Sequence, residues 1–206
     1  MRRPYIRAIA FDLGGVVLQN RYEKPILRNA AKVLGTSPAR LRTLIRREVG
    51  PLERGDQDEV QFWRTICRRL KRTAPSSRML KSLWSYRYKE NLRFNRDVKR
   101  LVVSLGSRFP VIAISNTIPA HIRVNKSLGV FDLFDCVLLS AEIGLRKPDR
   151  GIFRRASHMT GTPAANMLFI DDDERWVRAA RHSGLHAVRF TSARDLRKRL
   201  RKHRVL

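Results

Sequence analysis

The chain has 206 residues, 43% of them hydrophobic, which is enough for one domain of ordinary size with a real core. It carries 44 Lys and Arg against 18 Asp and Glu, a formal charge of +26, and lacks the run of ~18 apolar residues that a membrane-spanning helix requires. Cys67 and Cys136 show neither metal-ligand spacing nor a disulfide framework, which points to reduced thiols and a cytoplasmic setting.

The opening Met1-Arg2-Arg3-Pro4-Tyr5 is basic like a signal n-region, but Arg7 interrupts the apolar stretch and Asp12 closes it. Residues 6–13, bounded by Gly14-Gly15, therefore read as a short buried strand of a parallel sheet. A helical insertion follows. Pro25 and Pro38 sit where helices tolerate proline and open helices over 25–34 and 38–47. Over 58–70, Val60, Trp63, Cys67 and Leu70 recur at steps of three and four behind Asp58, an N-cap candidate. Residues 76–88 form a fourth candidate helix, and the aromatic residues Phe62, Trp63, Trp84 and Tyr88 suit the core of this insertion.

A helix over 97–105 returns the chain to the sheet. Strands are expected at 111–115, 136–139, 167–171 and 186–190, separated by helices that include 149–159 and 174–182. Strands alternating with helices predict an α/β fold, a three-layer Rossmann-like parallel sheet with right-handed crossovers. Leu196 and Leu200, four apart in the basic tail, predict a surface helix.

Four short motifs follow strands or open helices, where such a sheet displays reactive groups. They are Phe11-Asp12-Leu13-Gly14-Gly15-Val16, Ser115-Asn116-Thr117, Arg146-Lys147-Pro148-Asp149 and Phe169-Ile170-Asp171-Asp172. Taken singly, Asp12 beside glycine is a turn residue, Ser115-Asn116 a strand end, and Lys147 one more solvated charge. Asp171 and Asp172 differ, because adjacent carboxylates repel unless a cation or donor compensates, and oxygen-only ligation suits Mg²⁺. Together the four offer an attacking Asp, a hydroxyl, an ammonium and an acidic pair, the parts of a phosphoryl-transfer site.

In order and spacing these motifs resemble the haloacid dehalogenase-like hydrolase superfamily, in particular its phosphatase-like members with a helical cap after the first strand. The resemblance implies a core of residues 1–18 and 92–206 and a cap of residues 19–91. It implies Asp12 as a nucleophile that forms an aspartyl-phosphate, with Ser115, Asn116 and Lys147 binding and neutralising the phosphoryl group. Mg²⁺ would be held by Asp12, Asp172 and the Gly14 carbonyl, with Asp171 acting indirectly. The acidic pair argues against a halide-displacing member, which needs no metal.

Two positions depart from the pattern. Many family phosphatases carry a second Asp two residues after the nucleophile as acid and base, and this chain has Gly14 there; such a loss costs about 10²–10⁴-fold in rate unless replaced. Trp176 stands where an Asp or Asn is usual. His121 follows the second strand and is a candidate proton donor, although a surface role is the simpler reading. Arg146 reads as a surface residue, and Arg46, Arg47 and Arg54 are undistinguished candidates for cap contacts.

The charge has two readings. One is affinity for nucleic acid. The other is coding bias, since 34 Arg against 10 Lys are spread over nearly every segment and only 194–204 is dense. Bias leaves weak, non-specific nucleic-acid binding. The expected function is a Mg²⁺-dependent phosphomonoesterase for a small phosphorylated metabolite. The alternatives are a non-catalytic or regulatory relative, or a basic nucleic-acid-associated protein on the same fold.

Overall fold

A strand apolar on both faces belongs in the middle of a covered parallel sheet, and the first strand, β1 (Ala8–Phe11), is buried at every position. In the computed structural model, which describes residues 5–19, 21, 23–86 and 88–206, β1 is indeed central. Two short strands, β2 (Leu18–Gln19) and β3 (Arg93–Phe94), pair with each other antiparallel. The others are β4 (Val111–Ser115), β5 (Cys136–Leu139), β6 (Met167–Asp171) and β7 (His186–Arg189). They form one sheet with β1 in the order β5-β4-β1-β6-β7, every neighbouring pair parallel.

Alternation along these strands divides the core in two. Ile9, Phe11, Val111, Ala113, Leu168 and Ile170 face one layer, and Ala8, Ala10, Ile112, Ile114, Met167 and Phe169 the other.

Between β2 and β3 the chain is helical: α1 (Glu23–Val33), α2 (Pro38–Arg54), α3 (Glu59–Leu70), α4 (Ser77–Leu83) and α5 (Tyr88–Asn91). The β2–β3 pair draws both ends of this insertion together, a feature that two-residue strands do not announce in sequence. Asp58 caps α3 in a reciprocal box with Gln61, at 2.7 and 2.8 Å. Phe62 and Trp63 of α3 pack on Trp84 with ring centroids 5.4 and 4.9 Å apart.

Two expectations for the insertion are corrected. The helix from Pro38 does not stop at Arg47 but runs through Pro51 to Arg54, continuing past the lost Pro51 hydrogen bond with Leu52 fully buried beyond it. Gly55, at φ 76°, ends it. The 76–88 helix is really two pieces. Trp84 caps the end of α4 and packs on the α3 aromatics, and the Tyr88 hydroxyl at the start of α5 donates to Asn125.

After β3 come α6 (Arg96–Gly106), α7 (Pro119–Ser127), α8 (Ser140–Ile143), α9 (Arg150–Met159), α10 (Glu174–His182) and α11 (Ala193–Lys202). Helices α6 and α11 cover one face of the sheet, and α9 and α10 the other. The tail helix α11 has a solvated basic side, but Leu196 and Leu200 are fully buried. Among the described residues no helix is long and apolar enough to cross a membrane.

Candidate active site

Because β4, β1 and β6 are adjacent and parallel, their C-terminal ends open on one side of the sheet, where the strand order reverses. Ser115 ends β4, Asp12 follows β1, and Asp171 ends β6 with Asp172 after it. The ladder continues one step past β1, since the Asp12 N–H donates to Ile170 O at 2.8 Å. Lys147 enters from the loop between α8 and α9. Its Nζ lies 2.6 Å from Asp12 Oδ1 and 2.6 Å from Asp171 Oδ2. These three residues are only 1%, 7% and 0% exposed.

Carboxylate oxygens of Asp12, Asp171 and Asp172 lie within 4.8 Å of one another. One ammonium cannot balance three carboxylates withdrawn from water. Desolvation, opposed by Lys147 and reinforced by Asp171, pushes the Asp12 carboxyl up to about 7. Burial and Asp171 also raise Asp172. Burial alone would lower Lys147, but Asp12 and Asp171 outweigh it and raise the ammonium. A closely spaced, oxygen-only donor set with surplus negative charge fits a hard divalent cation. Asp171 is already engaged, one oxygen on Lys147 and the other accepting from the Asp173 N–H at 2.9 Å.

The backbone around the site has specific requirements. Gly15 takes φ 87°, and a Cβ there would fall into the Asp172 carboxylate; only glycine meets both conditions. Asn116, which also lines the cavity, holds Lys147 through its side-chain amide, accepting from the Lys147 N–H at 2.8 Å and donating to its carbonyl at 2.9 Å. Ser140, at the start of α8, ties Thr117 in the same manner.

Above these groups lies a cavity of about 680 Å³ that includes Asp12, Gly14, Ser115, Asn116, Lys147, Asp171 and Asp172. The candidate residues of the four motifs are thus brought together, whereas Arg47 and Arg54 of α2 are not among the residues lining this cavity. Its far wall comes from the insertion: Arg46, Val49 and Glu53 of α2, and Tyr88 of α5.

Two sequence expectations change here. Arg146 is not a free surface residue; it is half-buried and pairs with Glu53 at 2.6 Å. His121 is part of the cavity wall, stacked on Tyr88 at 3.9 Å with Nε2 3.2 Å from Trp84 O. Burial lowers its imidazole to about 4, so it is neutral at pH 7. Trp176 packs against the α9–α10 core layer with Arg175 over its ring at 4.9 Å, and Arg175 in turn pairs with Asp173, the N-cap of α10.

Comparison with known proteins bears on the family and the fold. A family model described as haloacid dehalogenase-like hydrolase matches residues 6–184. The phosphoglycolate phosphatase of Neisseria gonorrhoeae is 28% identical over 200 residues, covering 91% of this chain and 80% of that protein. Drimenol cyclase drtB of Aspergillus calidoustus is 26% identical over 201 residues, 95% of this chain but 36% of that protein, so the chain spans about a third of that relative's length. A HAD family enzyme from Bacteroides thetaiotaomicron, solved in complex with magnesium and inorganic phosphate, shares the fold with a TM-score of 0.70 at 21% identity, over 90% of this chain and 94% of that one. The matched span runs from the residues before β1 to the end of α10 and carries all four motifs on the strand-end side of the sheet, and the chain belongs to the haloacid dehalogenase-like hydrolase family.

Proposed function

We propose that the protein is a Mg²⁺-dependent phosphomonoester hydrolase for a small phosphorylated metabolite, working through an aspartyl-phosphate on Asp12. The observation that carries this reading is the buried Asp12–Lys147–Asp171 triad with Asp172 beside it, at the base of a cavity large enough for a substrate. The phosphatase relative and the magnesium and phosphate named for the structural neighbour support it.

In this reading an Asp12 carboxylate oxygen attacks phosphorus and the ester P–O bond breaks, its electron pair leaving on the ester oxygen, which takes its proton from solvent. Water then attacks phosphorus of the acyl phosphate, releasing inorganic phosphate and regenerating Asp12. Lys147 opposes the upward push of burial on the Asp12 carboxyl and offsets charge on the phosphoryl oxygens. Ser115 provides a hydroxyl to those oxygens, and Asn116 keeps Lys147 in place. Asp12, Asp172 and the Gly14 carbonyl would hold Mg²⁺, with Asp171 acting through its hydrogen bonds; when bound, the cation supplies the positive charge that three carboxylates and a phosphoryl group require. Residues 19–91 act as the cap, placing α2 and α5 over the cavity, where closure would exclude water.

The test is turnover of p-nitrophenyl phosphate with and without Mg²⁺, in native protein and Asp12→Asn. Turnover that needs both the metal and Asp12, together with a hydroxylamine-sensitive phosphoenzyme, is expected. Absence of any Asp12-dependent turnover would favour the non-catalytic alternative.

A further inference from the structure

The face that α2 turns to the cavity reads Arg46, Val49, Glu53, a spacing that keeps one side of a helix in line. The three differ in how they are occupied. Glu53 is paired with Arg146, next to Lys147 and so at the phosphoryl end of the cavity. Val49 supplies an apolar middle. Among the described residues, the cations lining the cavity are Arg46, Arg146, Lys147 and Arg175. Arg146 pairs with Glu53, Lys147 with Asp12 and Asp171, and Arg175 with Asp173. Among the described residues, Arg46 has no carboxylate within ion-pair distance. Glu23, which also lines the cavity, is turned to Arg42 at 3.6 Å.

Arg46 and Glu53 are two helical turns apart, about 10 Å along the axis. A ligand anchored by a phosphoryl group at Asp12 and Lys147 must therefore reach past Val49 to meet Arg46. From this arrangement we infer that the substrate carries a second anionic group, a carboxylate or phosphate, at the far end of an extended chain of about five or six atoms, and that Arg46 selects it. A guanidinium without an internal partner is the group that binds a carboxylate or phosphate through two parallel N–H donors. A two-carbon phosphorylated acid such as phosphoglycolate is too short to occupy both ends. The inference rests on the phosphatase reading and adds the substrate class to it.

The matched pair 6-phosphogluconate and glucitol 6-phosphate has the same carbon chain and differs in a distal carboxylate against a hydroxymethyl. The native protein should prefer the acid by about tenfold or more in kcat/KM, the range expected of one charge-assisted contact. Arg46→Gln should erase the preference and Arg46→Glu reverse it, whereas Arg47→Gln, one residue along and turned to Glu48 at the surface, should retain it. Arg46 is exposed, so the preference should also shrink as salt rises. No preference in the native protein, or the same loss in the Arg46 and Arg47 variants, overturns the inference while leaving turnover of p-nitrophenyl phosphate intact. Failure to turn over any phosphomonoester, the aryl ester included, overturns the phosphatase reading and this inference with it.

Discussion

Asn116 and Lys147 exchange two hydrogen bonds through the Asn116 amide and the Lys147 backbone, at 2.8 and 2.9 Å, so the residue after β4 fixes the main chain that carries the buried ammonium. Lys147 in turn contacts carboxylates after β1 and at the end of β6. Three strand ends are thereby locked to one loop.

This predicts a positioning role for Asn116. In Asn116→Ala the loop keeps its residues but loses both tethers, and the Lys147 Nζ is free to drift. Misplacement on the ångström scale costs about 10²-fold in rate, so kcat should fall by that order while KM changes little. Asn116→Asp, which retains an acceptor for the Lys147 N–H, should recover part of kcat. A rise in KM with kcat unchanged would show that Asn116 contacts substrate instead.

The charge imbalance predicts how stability depends on pH and on metal. Asp12 is raised from 3.8 to about 7 in the folded protein, and Asp172 is raised as well. A raised carboxyl favours folding while protonated, so its contribution is complete below the unfolded value and is lost as pH climbs through the folded one. Without metal, melting temperature should fall between pH 4 and 7 through these groups. Added Mg²⁺ should reverse this, with a larger upward shift at pH 7.5 than at pH 5. Asp172→Asn should raise the metal-free melting temperature, by relieving repulsion, and abolish the Mg²⁺ shift. Equal Mg²⁺ shifts in the native and variant proteins would remove Asp172 from the ligand set.

The strand ends were legible because β1, β4 and β6 are short, apolar and stopped by polar or glycine residues, so Asp12, Ser115 and Asp171 could be placed before any coordinates. The insertion was readable as helical from the α3 spacing and the Asp58 cap. Its details were not. Whether a helix survives Pro51 depends on whether packing beyond it, here the buried Leu52, offsets the lost hydrogen bond, which is a tertiary fact. The Glu53–Arg146 pair forms only because α2 folds back over the loop before Lys147, and in a chain with 34 Arg no local pattern marks the one that becomes paired or the one that stays open. Asn116 was found by its motif, but its tie to the Lys147 backbone was not, since that contact joins residues 31 apart in the chain.

Gly15 predicts a steric test independent of charge. Gly15→Ala forces a side chain into the left-handed region, at about 1–2 kcal/mol, and drives its Cβ against the Asp172 carboxylate. The variant should melt lower than native and lose most of the Mg²⁺ shift, because Asp172 must move. Retention of the full shift would mean that the loop adapts without disturbing Asp172.

If the +26 charge is compositional, RNA binding should be weak, indifferent to sequence and steeply reduced by salt. Replacing the exposed Arg194, Lys198, Arg201 and Lys202 of α11 with Gln should weaken it, with turnover unaffected, since none of the four lines the cavity. Binding that survives moderate salt and discriminates sequence would instead support a nucleic-acid partner.

The last prediction concerns the proton that the leaving oxygen needs. Gly14 offers no carboxyl at the position two residues after Asp12, and His121, whose imidazole is lowered to about 4, holds no acidic proton to donate at pH 7. Aryl and acyl phosphates leave well without protonation, whereas alkyl phosphates do not, so the native protein should turn over aryl esters much faster than alkyl esters. Gly14→Asp would return a carboxyl to the loop, and the left-handed position there is Gly15 rather than its neighbour. The gain should be largest for poor leaving groups, reaching about 10²-fold, the low end for acid catalysis. His121→Gln should leave the alkyl rate nearly unchanged at neutral pH. Equal native rates on aryl and alkyl esters would show that a donor already exists, and a selective loss of alkyl turnover in His121→Gln would identify it.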